Sequence, residues 1–433
     1  MIRILALAGL LITAFIAMRA QAATGDIVVL PVRGVVNPVL ADYIGRGIEH
    51  AEETGAVASI IQIDTPGGLD TAMRDIIQDI NNARVPVVVY VSPSGARAAS
   101  AGTYILLSAH VAAMAPNTVI GAATPVQLGD DGEAQISDEL KKKIINDAAA
   151  YIRSLAEAHG RNAEWAEEAV REGVSITEQE ALELNVIEMV ATNLEALISE
   201  LDGREVTMLD GSVVILNTAG VNVNEVNMTI VEDFLHAISD PNIAYILLSL
   251  AMLGILVEIS NPGLIFPGVV GGICLLLAFY SLGTLPVNWA GVLLIVLAFG
   301  LFIAEVFTTT FGLFTAGGIT ALVLGALILF PRGSPVFEPV NPWLIAITTI
   351  LIAGLFSLII TRVVGAHRRQ ASTGREELVG KTAVVKVALD PEGMVLRKGE
   401  RWNAVSESGR VEPGEEVTIN KVDGLKLWVI KNE

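Results

Sequence analysis

Five apolar runs crowd into the second half of this chain, at residues 242–259, 264–282, 289–307, 311–330 and 343–361. Each is close to the ~20 residues that carry a helix across a bilayer. In hydrocarbon every backbone polar group needs an internal partner, so such runs fold as helices. The expectation is a block of five transmembrane helices over residues 241–362. Trp289 and Trp343 stand at the start of two runs, as interfacial aromatics do. Asn261-Pro262-Gly263 separates two others, and the glycine-rich stretches at 268–272 and 312–318 suit close helix packing. Glu258 and Glu305 fall at or near run ends, where solvated ends or hydrogen bonds between helices account for them better than an ion path. Composition agrees: 52% of the 433 residues are hydrophobic, too many for a soluble enzyme of this length.

The N-terminus is a separate matter. Arg3 precedes an apolar run at 4–18, and Ala20-Gln21-Ala22 is a small-x-small site. Residues 1–22 therefore read as a signal peptide cleaved before Ala23, which exports the domain that follows. Five crossings put the two ends on opposite sides of the membrane. Arg362, Arg368 and Arg369 after the last run place the C-terminus in the cytoplasm. The net charge of −19 argues against nucleic acid as a partner. The single cysteine, Cys274, lies in an apolar run, so neither a disulfide framework nor a nucleophilic thiol is expected. No Cys/His cluster has metal-ligand spacing, and no metal or cofactor is implied.

Chemistry enters before the membrane block. Residues 94–103 read Ser-Gly-Ala-Arg-Ala-Ala-Ser-Ala-Gly-Thr, directly after the strand-like run 87–91. A strand followed by a tight turn of small residues presents Ser100 at the start of a helix, where backbone N–H groups face a reacting oxygen. Asp64-Thr65-Pro66-Gly67-Gly68 follows another strand-like run, 59–63. Two such strand ends supply the two amides of an oxyanion hole: Gly68 from the glycine pair and Ala101 after the nucleophile.

These two motifs, in this order, resemble the long form of the NfeD family, whose membrane-bound serine proteases have a ClpP-like, crotonase-type catalytic domain. The resemblance covers nearly the whole chain. It implies an α/β ClpP/crotonase-like protease domain, then the five-helix transmembrane block, then a C-terminal all-β OB-like domain. The boundaries read as signal peptide 1–22, protease domain 23–200, β-hairpin and amphipathic linker 201–240, membrane block 241–362, basic linker 363–377 and OB-like domain 378–433.

A serine needs a base. The chain has five histidines. Soluble ClpP-type peptidases carry theirs downstream of the serine, at a position matched here by Ala123, and their acid falls near Gly173. A Ser-His-Asp mechanism is therefore not expected. His110 reads as a packed histidine and His159 as a polar residue near a helix end. Lysine is the other base, since a desolvated lysine holds a neutral amine near pH 7. Lys141-Lys142-Lys143 opens a helical pattern. Periodicity brings Lys141 nearest the apolar face, whereas the resemblance aligns Lys143 with the family's base, in a loop or at the helix start. The implied dyad is Ser100 with Lys143.

Alternating patterns before residue 190 predict strands at 26–32, 56–63 and 87–91 and helices at 39–53, 69–82 and 100–108. Thr177 with Glu180 is a capping box. Residues 204–226 alternate like a hairpin around Asp210-Gly211, and 229–238 is amphipathic enough to lie on a membrane surface. Five short alternating segments after residue 378 suit a five-stranded barrel. Trp402 and Trp428 read as core or structural residues rather than a stacking platform. The resemblance implies apolar segments of stomatin-like membrane proteins as substrates or partners. It also implies a homodimer or larger assembly; the signal peptide and the charges after the last run give an inner-membrane protein with an extracytoplasmic protease domain and a cytoplasmic OB-like domain. The alternatives are a non-catalytic scaffold for stomatin- or flotillin-like partners and, more remotely, an acyl-CoA enzyme that uses the same two-amide hole.

Overall fold

The computed structural model describes residues 25–125, 137–260, 263–285, 287–308, 312–330, 339–368 and 378–432. The signal peptide expected over 1–22 lies outside them. Two compact units part between Ile352 and Ala353.

The first unit opens with strand β1 (Ile27–Arg33), helix α1 (Pro38–Glu53), β2 (Ala58–Asp64), α2 (Asp70–Asn82), β3 (Val87–Val91), the short β4 (Arg97–Ala99), α3 (Ala101–Ser108), β5 (Val111–Met114) and β6 (Val119–Gly121). From Asp138 onward come α4 (Asp138–Ala158), α5 (Ala163–Arg171), β7 (Ser175–Thr177), α6 (Glu178–Glu183), β8 (Met189–Val190), α7 (Leu194–Leu201), β9 (Glu205–Thr207), β10 (Val213–Ile215) and β11 (Val223–Glu225). Six strands form one parallel sheet in the order β11-β1-β2-β3-β5-β8. A parallel sheet is covered on both faces, so its strands read as continuous apolar runs. Every residue of β3 is buried. Period-two alternation then sorts the side chains between two cores. Ile61, Ile63, Val87, Val89 and Val91 pack with α1, α2 and α3. Ile60, Val88 and Tyr90 pack with Leu197 and Leu201 of α7. A second sheet, β4-β6-β7, is joined to the first by a bridge between Thr65 and Ala98.

The expected helices and strands of this domain stand within two residues of their sequence positions. Both bonds of the Thr177/Glu180 capping box form. The segment 204–226 differs. Only β9 and β10 make the hairpin around Asp210-Gly211. Residues 223–225 instead become β11 on the edge of the main sheet beside β1, and Val226 N–H donates to Val29 C=O at 2.9 Å. The sheet thus draws in chain well past residue 200. Alternation marks a strand but does not name its partner.

Helix α8 (Ile230–Ile238) leads into α9 (Pro241–Ser260), α10 (Ile265–Thr284), α11 (Trp289–Phe307), α12 (Leu313–Ile328) and α13 (Pro342–Arg368). Five helices therefore stand where five spans are expected, but the count of five crossings does not follow. Among the described residues only two helices combine span length with apolarity, Pro241–Ile259 and Ile265–Thr284, each with mean hydropathy 2.1. The 16 residues of α12 reach about 24 Å, short of a ~30 Å hydrocarbon core. Helix α13 continues through 363–368, the start of the expected basic linker; the rest of that linker lies outside the described residues. Glycines bring the paired helices to backbone contact: a Cβ on Gly254 would lie 2.8 Å from the Cα of Gly271, and one on Gly325 2.9 Å from Gly291 C=O. Glu305 is buried and caps the next helix, its two oxygens accepting from Gly312 N–H at 2.8 Å and Thr315 N–H at 2.9 Å. That is the hydrogen-bonding role its place at a run end suggested.

In the second unit β12 (Thr382–Val387), β13 (Glu392–Arg397), β14 (Glu400–Ser406), β15 (Glu416–Asp423) and β16 (Lys426–Lys431) form a closed barrel in the order β12-β13-β14-β16-β15. Val417, Ile419, Leu427 and Val429 point inward. Trp402 packs on this core, whereas Trp428 alternates with Leu427 and Val429 and stands half-buried on the outer side.

Within the first unit His110 and His159 meet edge to face, 5.9 Å between ring centres. His110 Nδ1 accepts from Val87 N–H at 3.1 Å. Burial first, and the nearby Arg161 charge second, push both imidazoles down to about 4. Unfolding restores a value near 6.5, so between about pH 4 and 6.5 the unfolded chain binds more protons. Stability contributed by this pair is complete above 6.5, falls as pH drops toward 4, and levels off below it. His110→Asn keeps an acceptor for Val87 N–H without the titration. The loss of urea midpoint between pH 7 and pH 4.5 is expected to be smaller in this variant than in the parent; equal losses would refute the assignment.

Candidate functional site

Ser100 stands at the N-cap position of α3 with φ 52° and ψ −118°. A non-glycine residue with positive φ is strained, and the strain persists only where surrounding bonds over-determine it. Ser100 N–H donates to Gly121 C=O at 3.0 Å, and Thr103 N–H donates to Ser100 C=O at 3.0 Å. The Thr103 hydroxyl lies 2.9 Å from Ala98 C=O and 3.0 Å from Gly121 C=O, and accepts Gly121 N–H at 3.1 Å. Strand β4, just before the serine, is gripped on its other side by Thr65, whose N–H donates to Arg97 C=O at 2.7 Å and whose C=O accepts Ala99 N–H at 3.1 Å. Gly102 is needed for this fit, because a Cβ there would lie 2.6 Å from the Thr65 Cγ2 methyl. Tertiary bonds thus turn the Ser100 side chain out of a tight corner at a helix start.

The glycine pair faces that corner. Gly67 has φ +110°, and a Cβ on it would fall 2.6 Å from Ser100 Cβ and 3.1 Å from Oγ. Its N–H is used by Thr65 Oγ1 at 3.0 Å. Gly68 rests on Val36: a Cβ would lie 2.0 Å from Val36 C=O. Val36 N–H donates to Gly67 C=O at 2.8 Å and Leu69 N–H to Val36 C=O at 2.9 Å. Among the described residues neither Gly68 N–H nor Ala101 N–H has a protein acceptor. Ser100 Oγ likewise has no hydrogen-bond partner among the described residues.

The base is where expectation and structure part. Helix α4 begins at Asp138, capped by Ser137 Oγ, so Lys143 sits inside the helix rather than in a loop ahead of it. Residues 138–143 are all exposed, which holds for Lys141 and Lys143 alike. The helix is buried only from Ala148 on, where Tyr151 stacks 6.0 Å from Tyr104 of α3. The structure therefore docks α4 on the helix that Ser100 opens. It forms no bond between Lys143 and Ser100, and the described residues supply no desolvation for either lysine. The helical wheel's preference for Lys141 has no counterpart, because the apolar face starts after both.

The positions matched to the histidine and acid of soluble relatives come together without those groups. Ala123 is buried, its N–H donating to Ala169 C=O at 2.9 Å, and a Cβ on Gly173 would lie 3.3 Å from Thr124 Oγ1. His110 and His159 are occupied with each other, as the packed reading of His110 expects. Sequence reasoning overlooked Thr65, Thr103 and the segment 33–37 that backs the glycine pair. Asn37-Pro38, a cap residue followed by a helix-starting proline, was the available sign of order there.

Comparison with known proteins covers the chain from end to end. Residues 26–211 match the NfeD1b N-terminal domain, 242–362 the NfeD integral membrane domain, and 375–431 the NfeD-like C-terminal, partner-binding domain. The chain is 40% identical over 411 residues to "Membrane-bound protease PH1510" of Pyrococcus horikoshii, spanning 93% of this chain and 92% of that one. It is 28% identical over 447 residues to "Membrane protein NfeD1b" of Bacillus subtilis, spanning 95% and 94%. Among solved structures, a lysine-to-alanine mutant of the 1510-N membrane-bound stomatin-specific protease with a substrate peptide is 39% identical, with TM-score 0.46, over 50% of this chain and 98% of that one. The succession of a protease-like domain, a membrane domain and a partner-binding domain, with this identity along nearly the whole length, makes the chain a member of the NfeD family in its long form.

Proposed function

We propose that this protein is a membrane-anchored serine endopeptidase with Ser100 as nucleophile. The observation that carries the reading is the strained Ser100 corner, with Gly67 pressed against it and two neighbouring amides, Gly68 and Ala101, that have no protein acceptor among the described residues. Strain of this kind collects at reacting residues, and unpaired amides at a helix start suit developing negative charge. The 40% identity to a protein named a membrane-bound protease supports the same reading.

In this proposal Ser100 Oγ attacks a peptide carbonyl carbon and loses its proton to the neutral amine of Lys143. Gly68 and Ala101 N–H groups hold the oxyanion. Lys143 returns the proton to the leaving amine, giving an acyl ester on Ser100. Water then attacks the ester and gives its proton to Lys143; as the bond from the acyl carbon to Ser100 Oγ breaks, Lys143 passes that proton to Oγ, which restores serine and free amine as the acid product leaves. Because Lys143 is exposed at the free start of α4, the dyad needs that end of the helix to come in over Ser100 with the substrate. The substrate class is an apolar segment of a stomatin-like membrane protein, in line with the name of the 1510-N relative. The barrel serves as a partner-binding module. Five crossings keep the protease domain extracytoplasmic and the barrel cytoplasmic. Helix α8, with Ile230, Val231 and Phe234 exposed, lies on the membrane surface. The domain works as a homodimer or larger assembly. The lack of a hydrogen-bond partner for Ser100 Oγ among the described residues favours one second reading, a scaffold for stomatin-like partners that does no chemistry.

Cleavage of an apolar peptide library by the purified chain decides between the two. Ser100→Ala is expected to abolish cutting and Lys143→Ala to lower it by at least ~10²-fold, both with the fold intact. Cutting that survives Ser100→Ala would remove the protease assignment, and cutting that survives Lys143→Ala but not Lys141→Ala would move the base. Gly68→Ala drives a methyl into Val36 C=O. It is expected to cost about 3 kcal/mol in stability and to suppress labelling of Ser100 by a fluorophosphonate; full labelling would show that the turn does not shape the site.

A further inference from the structure

We infer that His236 is a positioning residue for the Gly67–Gly68 turn and ties that turn to the membrane helices. The inference deepens the serine endopeptidase reading and rests on it. Segment 33–37 is the ledge under the glycine pair. Its Val36 makes the two backbone bonds described above, and Gly34 N–H donates to Asp64 C=O at 3.0 Å. No side chain separates ledge from turn, so movement of one is passed to the other.

His236 grips the ledge at both ends. Its Nε2 lies 3.1 Å from Arg33 C=O. A carbonyl only accepts, so Nε2 carries the proton. Nδ1 faces the Asn37 amide, 3.2 Å from Nδ2 and 3.4 Å from Oδ1, and the shorter contact makes it the acceptor of an Nδ2 proton. Asn37 Oδ1 is already taken by Leu40 N–H at 2.9 Å, which fixes the amide the same way round. Gly34, with φ +94°, leaves room for the ring; a Cβ there would lie 3.1 Å from Nε2. Donors and acceptors match one for one across about 200 residues of sequence separation.

The helix that carries His236 is itself held at both ends. Near its start Glu232 receives Arg46 through two bonds of 2.9 and 2.7 Å. At its end Ile238 C=O accepts from Ser281 Oγ of α10 at 2.5 Å, and Thr284 Oγ1 lies 3.3 Å from Ser239 Oγ. A shift of α10 against the domain therefore reaches the Gly68 amide through α8, one imidazole and one stretch of backbone. Misplacing an oxyanion donor by about 1 Å is enough to lower a rate on the order of 10²-fold.

The test uses the full chain in liposomes, with a fluorogenic apolar peptide as substrate and hydrogen exchange read at residues 66–69. His236→Ala is expected to lower kcat about 10- to 100-fold with KM and thermal midpoint little changed, and to speed exchange at 66–69. His236→Gln, which keeps a donor for Arg33 C=O, is expected to recover most of both. Unchanged kcat overturns the inference, as does a loss in which KM and midpoint move with kcat and glutamine gives no rescue. If no form cuts, the parent included, the protease reading falls by itself and exchange judges the brace: faster exchange in His236→Ala upholds it, unchanged exchange removes it.

Discussion

Ser100 is held at positive φ by backbone and hydroxyl bonds from three separate places in the chain, and the site depends on that grip. Thr103 and Gly121 fix one side of the corner, Thr65 fixes the strand that enters it, and Gly67 closes over it. Each grip uses small residues where a larger one would collide. Gly102 meets Thr65, Gly67 meets Ser100, and Gly68 meets Val36. The parallel sheet beneath supplies the rigidity. Its inner strands β1, β2, β3 and β5 are buried on both faces, and the bonds that shape the corner extend from the ends of β2, β4 and β6.

Among the described residues no side chain bonds to Ser100 Oγ. Ala123 and Gly173 close off the histidine route, and Lys143 stands in solvent at the uncommitted end of α4. A helix buried only in its later turns leaves its first turns free to take up a substrate or a second chain. The Gly68 and Ala101 amides, by contrast, lie on backbone that is held from several sides.

The membrane region follows a different logic. Its helices pair through glycines that let backbones touch, and its buried carboxylate, Glu305, serves as a helix cap rather than an ion site. Polar bonds at the start of the block, from Ser281 and Thr284 to the end of α8, join it to the domain that carries Ser100. Anchor and site are thus linked by hydrogen bonds as well as by the chain.

Local pattern determined much of this protein. The alternation of strand and helix, the burial of Val87–Val91, the Thr177/Glu180 capping box, five apolar helices and five barrel strands were all legible, because each depends on side-chain period or on a cap within four residues. The small-residue turns that hold Gly67, Gly68 and Ser100 were legible as breaks after strand-like runs. What lay beyond the sequence was partnership. Residues 223–225 leave the hairpin for the far edge of the sheet, Gly67 is the glycine that touches Ser100, and His236 reaches a ledge two hundred residues earlier. Lys143 projects into solvent because the burial of α4 begins only at its third turn. Periodicity states which face of an element is apolar; only the closed fold decides what that face, or a polar group beside it, will meet.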